Sequence, residues 1–305
     1  MSLVIGTGAM SRTMKLCPRG ALIAAAVALG APSAAQSPVA PSLDPPSWTR
    51  PVPPFRIVGN IYYVGSEGLA SYLVKTERGD ILIDGTMAAN VPMIERNLAT
   101  IGVRMRDIKY LLLTHAHFDH AGGLARLKAD SGAQLIVGAG DRIAVQTGKA
   151  PGESLTGGVD FPAAAVDRGI GEGETVRLGA TTLVAHATPG HTPGCTTWTL
   201  QMFERGTPLR VVIPCSLTVA GNRLVGNRRY PGIVGDYRAS FARMAAIRAD
   251  VVLPAHPELA DVHGRRVRRD AGQRNAFVDR ALLGTIVARA RIAFAADLAA
   301  QTGRK

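Results

Sequence analysis

Short apolar runs separated by glycine, proline and charged turns make up most of the chain beyond residue 55. Brief runs rich in Val, Ile, Leu and Tyr predict strands, and apolar residues at helical spacing predict helices. The predicted strands cover 61–65, 71–74, 80–84, 108–113, 133–137, 175–178, 181–187, 196–202, 210–213 and 251–253. The predicted helices cover 89–101, 122–129, 141–147, 236–247 and 275–300.

Strands followed by helices occur twice along the chain. A sheet covered by helices on one face reaches a stable layered arrangement by packing its other face on a second sheet. We therefore predict an α/β fold, an αβ/βα four-layer sandwich with two mixed sheets packed face to face and helices outside. A single domain is expected over 55–305.

Two stretches lack any periodic pattern and are expected to be irregular. Residues 36–54 are rich in Pro and Ser and predict an extended N-terminal arm, with Trp48 as its one large apolar anchor. Residues 149–173 contain many Gly and Pro and predict a long loop. Loops of this length inside compact domains are usually functional, so both stretches are expected to shape a pocket.

The first 35 residues have the pattern of a secretory signal peptide. Three basic residues within 12–19 precede the apolar stretch 21–31, and small residues at 33–35 offer a cleavage site. The apolar stretch is too short for an ordinary membrane anchor. Met14 is an alternative first residue of the chain, since the residues before it add little to the signal. We therefore expect export to the periplasm, cleavage near Ala35 and no membrane anchor.

Composition indicates a globular chain with a basic surface. The 305 residues are 47% hydrophobic and carry a formal net charge of +12. The basic excess is concentrated over 265–280, where the arginines are not interleaved with aromatic residues as a single-strand nucleic-acid platform requires. We interpret this segment as a solvated helix face and expect no nucleic-acid partner. No exposed apolar stripe stands out, so a monomer is expected.

The clearest chemical signal is a polar run that directly follows the apolar run 108–113. Three imidazoles and one carboxylate occur within six consecutive residues, and such groups are the usual protein ligands of zinc. Side by side, they repel one another if protonated and are buried at a cost if no metal is bound. The run therefore predicts the anchor of a metal centre, and its candidate ligands are His115, His117, Asp119 and His120.

Two further histidines lie in loops made rigid by proline. His191 stands in Thr-Pro-Gly-His-Thr-Pro-Gly, and His256 stands in Pro-Ala-His-Pro-Glu after a short apolar run. Both are predicted metal ligands. His186 lies in the middle of a predicted strand and is interpreted as structural, whereas His263 adjoins the arginine-rich segment and is interpreted as a surface residue.

The six candidate ligands divide into two groups of three. His115, His117 and His191 make the pattern of a catalytic zinc with one open position. Asp119, His120 and His256 make a second site of one oxygen and two nitrogens. Two Zn²⁺ ions per chain are therefore expected, and a water shared between them has a pKa lowered towards neutrality. We expect hydrolysis by a metal-bound hydroxide, oriented by Asp119 as a catalytic residue.

The run 115–120, the Pro-Gly loop of His191 and the Ala-His-Pro-Glu segment of His256 resemble the metallo-β-lactamase superfamily. The likeness extends from about Tyr62 to the terminal helix. It specifies the fold more than the reaction, because glyoxalase II enzymes, lactonases, sulfatases and ribonucleases share the motif. Most hydrolases of the superfamily carry a metal-bridging Asp in the stretch that corresponds to 212–218, which holds no carboxylate here.

Without that Asp, the chain most resembles subclass B3 metallo-β-lactamases, in which a histidine like His120 completes the second zinc site. The resemblance implies a zinc-dependent β-lactamase that hydrolyses the amide bond of penicillins, cephalosporins and carbapenems. It also implies that Ser216 and Thr218 contact the substrate carboxylate. The alternatives are another hydrolase of this fold, such as a lactonase or thioesterase, and a zinc-binding protein without activity.

Two cysteines lie outside the signal segment, Cys195 and Cys215. Both are expected to lie within strands, and nothing in the sequence shows that they are adjacent. We therefore favour two separate buried thiols over a disulfide, although export would permit one. In the resemblance to subclass B1, the position of a Cys ligand matches Ser216 rather than Cys215. Neighbours on a strand face opposite sides, so Cys215 is not expected to bind metal.

Overall fold

The computed structural model describes residues 44–303. The predicted signal segment 1–35 and the first part of the predicted arm lie outside the described residues. Within them, two sheets and their flanking helices form the predicted αβ/βα sandwich. No helix in the described part of the chain is both long and apolar enough to cross a membrane.

The first sheet has seven strands in sequence order. Antiparallel pairing joins β1 through β4, and parallel pairing joins β4 through β7. The strands are β1 (Phe55–Val58), β2 (Ile61–Tyr63), β3 (Tyr72–Thr76), β4 (Gly79–Ile83), β5 (Ile108–Leu112), β6 (Gln134–Gly138) and β7 (Arg168–Ile170). Because β4, β5 and β6 are parallel, the loops that follow them meet at one edge.

The second sheet has five strands in the order β12-β11-β10-β9-β8. Its pairs are antiparallel except β11 and β12, which are parallel. The strands are β8 (Thr175–Leu178), β9 (Thr181–Ala187), β10 (Thr196–Glu204), β11 (Thr207–Ile213) and β12 (Val251–Val252). The carboxyl ends of β9, β11 and β12 share one edge.

Most of the helices cover the outer faces of the two sheets. They are α1 (Val91–Thr100), α2 (Phe118–Ala121), α3 (Leu124–Ser131), α4 (Arg142–Thr147), α5 (Ile233–Ala246), α6 (Val262–Asp270) and α7 (Leu282–Gln301). The prediction for the terminal helix was wrong at its start, because α7 begins at Leu282 rather than at residue 275. The predicted loop 149–173 is also interrupted, since its residues 168–170 form the edge strand β7.

Strand alternation explains the layers. In β4, Ile81 and Ile83 enter the core between the two sheets, while Leu82 between them enters the core under the helices of the first sheet. Trp198 of β10 is fully buried in the same inter-sheet core. A third core joins the outer face of the second sheet, through Val212, to α5 and α7. These interdigitated cores fix the loops that emerge at the sheet edges.

Candidate metal centre

The histidine run begins at His115, three residues beyond the end of β5. Asp84, which follows the neighbouring parallel strand β4, accepts hydrogen bonds from the Thr114 backbone N–H (2.7 Å) and hydroxyl (2.8 Å). The Thr114 hydroxyl lies 3.0 Å from Nδ1 of His115. Since Nδ1 of His115 is engaged there, Nε2 is the nitrogen free for a metal.

The first predicted ligand group converges as expected. His115, His117 and His191 each offer one ring nitrogen, and these atoms all lie within 4.8 Å of one another. The ring centroid of His191 is 4.5 Å from that of His115 and 4.5 Å from that of His117. Three converging imidazole nitrogens match a tetrahedral zinc site that keeps its fourth position open.

The loop between β9 and β10 fixes the orientation of His191. Nδ1 of His191 lies 2.7 Å from the backbone carbonyl oxygen of Thr218, so this nitrogen donates its proton there and Nε2 is left for a metal. Gly190 has a φ of +139°, and a Cβ at this position would lie 2.8 Å from the Tyr237 ring. Only glycine therefore lets the loop approach α5 this closely.

A buried carboxylate, Asp141, joins the two loops that carry the first group. It accepts hydrogen bonds from the backbone N–H of Ala116 (2.8 Å), the hydroxyl of Thr192 (2.7 Å) and the backbone N–H of Gly194 (2.8 Å). Burial raises the pKa of Asp141 to about 6, although these hydrogen bonds oppose the shift. The role of Asp141 could not be predicted from the sequence, because its partners lie far away in the chain.

The second predicted group also comes together. Oδ2 of Asp119 lies 3.0 Å from Nε2 of His120 and 3.4 Å from Nε2 of His256. The two Nε2 atoms are 3.3 Å apart. Asp119 and His120 further form a compact ligand set with His115, so the two groups adjoin each other. His256 is the most solvent-accessible of the three, with 21% of its side chain exposed.

Burial and neighbouring charge act differently on the two groups. Burial, reinforced by the neighbouring histidines, lowers the pKa of His115 and of His191 well below the usual range. Burial likewise lowers the pKa of His117 to about 4. Burial alone would also lower the pKa of His120, but Asp119 and Asp84 outweigh it and raise that pKa to about 10. The first group is therefore neutral and ready to bind a cation.

The residues fit a divalent metal of the zinc type. Nε2 of His115 is buried and has no hydrogen-bond partner within the described residues, as is also true of Nδ1 of His120. A buried polar atom without a partner is costly, and a cation amid the clustered nitrogens satisfies His115. Nitrogen-rich donor sets with one carboxylate suit zinc rather than magnesium or calcium.

Both groups open into one cavity of about 320 Å³. Trp48 forms part of its wall, with its ring centroid 5.6 Å from that of His256 and 6.1 Å from that of Phe118. The loop after α4 forms another wall, through Val159 among others. Thr218 lines the cavity, and its hydroxyl lies 3.0 Å from that of Ser216. Trp48 and the loop therefore do border the pocket.

The remaining histidines lie away from the metal centre. Nε2 of His186 is 2.9 Å from the Thr199 hydroxyl on the neighbouring strand, which agrees with a structural role. His263 is not the surface residue that was predicted. It is half-buried, its ring packs against Tyr63, and its Nε2 lies 2.9 Å from the Glu67 carbonyl oxygen. A contact to a distant loop cannot be read from its neighbours in the chain.

The prediction of two separate thiols was wrong, because Cys195 and Cys215 form a disulfide with a Cα–Cα distance of 5.7 Å. Neither cysteine lies within a strand. Cys195 immediately precedes β10 and Cys215 follows β11, and the antiparallel pairing of these strands brings their open ends together. Only the register, which pairs Trp198 with Ile213, could have revealed this. The disulfide also leaves Cys215 without a thiolate for a metal.

Comparisons with known proteins agree with this geometry. Residues 67–256 match the profile of the metallo-beta-lactamase superfamily. The chain is 44% identical to BJP-1, a subclass B3 metallo-beta-lactamase of Bradyrhizobium japonicum, with a TM-score of 0.81 over 85% of this chain and 98% of that one. It is 38% identical to the FEZ-1 metallo-beta-lactamase of Legionella gormanii, with a TM-score of 0.78 over 83% and 98%.

Curated relatives are more distant and carry other names. A hydroxyacylglutathione hydrolase of Polaromonas is 38% identical over 32% of this chain and 31% of its own length. A probable metallo-hydrolase of Burkholderia pseudomallei is 32% identical over 37% of each chain. The match spans only about a third of the length of these two relatives. The profile match and the solved structures nevertheless show that this chain belongs to the metallo-β-lactamase superfamily and is a hydrolase of that type.

Proposed function

We propose that this protein is a zinc-dependent β-lactamase, which opens the amide bond of penicillins, cephalosporins and carbapenems. The observation that carries the proposal is the convergence of two complete three-residue ligand groups without any ligand from the 214–218 segment. That segment instead offers the hydroxyls of Ser216 and Thr218. The likeness to subclass B3 structures, over nearly the full length of those chains, supports the same assignment.

In this proposal, His115, His117 and His191 hold one zinc ion, and Asp119, His120 and His256 hold the second. Zinc bound there supplies Lewis acidity and a water whose pKa is brought near neutrality. The Asp119 carboxylate belongs to the second group and also lies beside His115, so it would accept a hydrogen bond from the attacking water and orient it. The amide C–N bond breaks, the carbonyl carbon gains the hydroxyl, and the nitrogen gains the proton.

The cavity provides the contacts that select the substrate. Its volume of about 320 Å³ is at the small end of the range for ligand pockets. The Ser216 and Thr218 hydroxyls donate hydrogen bonds to the substrate carboxylate. Trp48 and Val159 line the cavity and offer apolar surface to substituents of the β-lactam. A compact bicyclic acid fits these features better than a long peptide thioester.

The second candidate function is thioester hydrolysis, which the names of the curated relatives favour. Hydroxyacylglutathione hydrolases match this chain over less than half of their length. A lactonase is a third possibility within the same chemistry. Rates on a carbapenem, a penicillin, an acyl lactone and a glutathione thioester, measured side by side, separate these functions.

The decisive experiment is carbapenem hydrolysis by the purified protein before chelation, after chelation and after zinc is restored. We expect activity to be lost on chelation and regained with zinc, together with a zinc content of two ions per chain. His186→Ala, a histidine variant outside both groups, is the matched control and should behave as the unaltered protein. Activity that survives thorough chelation would exclude the proposal.

We further propose that the protein is exported, processed near Ala35 and monomeric. The amino-terminal sequence of protein recovered from the periplasm tests the processing site. Light scattering of the purified protein tests the oligomeric state.

A further inference from the structure

The Cys195–Cys215 disulfide lies close in sequence to both partners of the hydrogen bond that orients His191. Cys195 is four residues beyond His191, and Cys215 is three residues before Thr218. The disulfide joins the two segments at one end. They meet again at the other end, where Nδ1 of His191 donates to the Thr218 carbonyl at 2.7 Å. Residues 191–195 and 215–218 therefore form a closed ring, with a covalent bond at one end and a hydrogen bond to the ligand imidazole at the other.

Besides the disulfide, the 215–218 side of this ring is held by Leu217, which is buried in the core that joins the second sheet to α5 and α7, and by two hydrogen bonds. Residues 214–219 have no regular secondary structure, since the pairing of β10 with β11 ends at Trp198 and Ile213. The backbone N–H of Cys215 donates to the Thr197 hydroxyl at 3.1 Å, and the Tyr237 hydroxyl donates to the Thr218 carbonyl at 2.7 Å. The disulfide is the only covalent cross-link between this segment and the His191 loop within the described residues.

We propose that the Cys195–Cys215 disulfide is a positioning element of the metal centre, which sets the orientation and tautomer of His191 through the Thr218 carbonyl. The same ring places the Thr218 hydroxyl at the cavity, 3.0 Å from the hydroxyl of Ser216. Partners that orient a ligand imidazole through its second nitrogen contribute strongly to metal affinity. Here that partner is a backbone carbonyl, so its position depends on the chain around it. This inference rests on the proposed zinc-binding role of His191.

Both sulfur-bearing residues are buried, with 1% and 2% of their surfaces exposed. The disulfide is therefore protected in the folded protein, and its effect is tested by substitution. The test variant is Cys195→Ser/Cys215→Ser. The control is Leu209→Ala, a buried residue of β11 near the opposite end of the same hairpin, which weakens the hairpin without touching the ring.

The measurements are zinc affinity, by competition with a chromophoric chelator, the visible spectrum of the Co²⁺-loaded protein, and the unfolding midpoint. We expect the double serine variant to bind its tightest zinc ion about tenfold more weakly. We also expect its Co²⁺ spectrum to change. Leu209→Ala should lower the unfolding midpoint but leave the zinc affinity and the Co²⁺ spectrum unaltered.

A second measurement uses the unaltered sequence. The protein is unfolded, reduced with a dithiol and refolded without oxidant. Each sulfur gains one electron and one proton as the dithiol closes to a cyclic disulfide. The reduced protein should show the same tenfold loss of zinc affinity.

The outcomes distinguish this inference from the proposed function. If the unaltered protein binds no zinc, the proposed function fails. If it binds zinc and the folded double variant binds equally tightly with the same Co²⁺ spectrum, the positioning role is refuted. If neither the variant nor the reduced protein folds, the disulfide serves folding rather than the site, and the inference is equally refuted.

Discussion

The two ligand groups differ in how the protein holds them before any metal arrives. In the first group, His115 is fixed by the Thr114 hydroxyl and His191 by the Thr218 carbonyl, and both imidazoles are neutral because burial lowers their pKa. In the second group, His120 has its pKa raised to about 10 because Asp119 and Asp84 outweigh its burial. The first group is thus preorganised for a cation. In the second group, a proton on His120 balances the negative charge of Asp119 and Asp84.

Two neighbouring metal sites of this kind need not bind their ions equally readily. The first group requires a metal to satisfy the free nitrogen of His115. In the second group, Nε2 of His120 is already paired with the Asp119 carboxylate at 3.0 Å, and a metal must displace a proton from that pair. The first site should therefore fill first and contribute more to activity.

The largest expected effect comes from deleting one ligand of each group. His117→Ala should reduce kcat/KM by about 1,000-fold or more, because several kcal/mol of transition-state stabilisation are lost with the first metal. His256→Ala should reduce it only about ten- to a hundredfold. Steady-state kinetics with measured zinc content checks both variants, and equal losses would contradict the distinction between the groups.

Removal of the carboxylate that joins the loops of the first group should have the next largest effect. Asp141→Ala leaves three buried donors without an acceptor, each at a cost of about 1–3 kcal/mol. Part of this loss of stability is offset in the variant. Burial raises the pKa of Asp141 to about 6, so ionisation of the buried carboxyl lowers the stability of the unaltered protein as pH rises towards that value. Asp141→Ala removes this cost. We expect a net loss of about 3 kcal/mol in the free energy of unfolding, measured with urea.

Asp141→Asn is the conservative control, because it retains one oxygen acceptor and should lose less. In both variants the affinity for the first zinc ion should fall and that for the second should stay. A weaker second site with an unchanged first site would show that Asp141 does not act on the first group.

The pH dependence of zinc binding should separate the groups by a smaller factor. His120 has a raised pKa, so its proton stabilises the metal-free fold below its ordinary pKa, and this contribution disappears as pH rises through about 10. Affinity for the second ion should therefore rise about tenfold per pH unit between about pH 6 and pH 8. Affinity for the first ion should change little there, because burial lowers the pKa of His117 to about 4.

Zinc titrations at several pH values, in competition with a chelator of known pH dependence, check this prediction. Parallel slopes for the two ions would contradict it.

The smallest expected effect concerns the wall beside the second group. Trp48 packs 5.6 Å from the His256 ring, and such aromatic contacts contribute about 0.5–1.5 kcal/mol. Trp48→Ala should raise KM about two- to tenfold with little change in kcat. Trp48→Phe, which keeps an aromatic ring, is the matched control. A large fall in kcat would instead assign Trp48 a role in the chemistry.

Much of the site could be predicted because its ligands stand in local patterns. The run 115–120 and the proline-bounded His191 and His256 each occupy a few consecutive residues after a strand, and the structure brings these segments together. The layered fold was predictable for a similar reason, since alternation within a strand such as β4 requires apolar partners on both faces.

What escaped prediction depends on contacts between distant segments. Asp84 and Asp141 act on backbone groups about 25 to 53 residues away, and nothing near them in the sequence marks that role. The Cys195–Cys215 pairing required the register of β10 on β11, which composition does not determine. The half-buried His263 depends on a contact to Glu67, nearly two hundred residues away.

The indole of Trp198 reaches from the second sheet to the first, where its Nε1 donates to the carbonyl of Leu113 at 3.1 Å. Leu113 is two residues before His115. His191 lies in the loop between β9 and β10, which are strands of the same sheet as Trp198. Any shear of one sheet against the other would therefore change the distance between His115 and His191. A metal ion bound by both histidines would cross-link the two sheets. The core between the sheets should therefore be more rigid when the metal is bound than when it is removed.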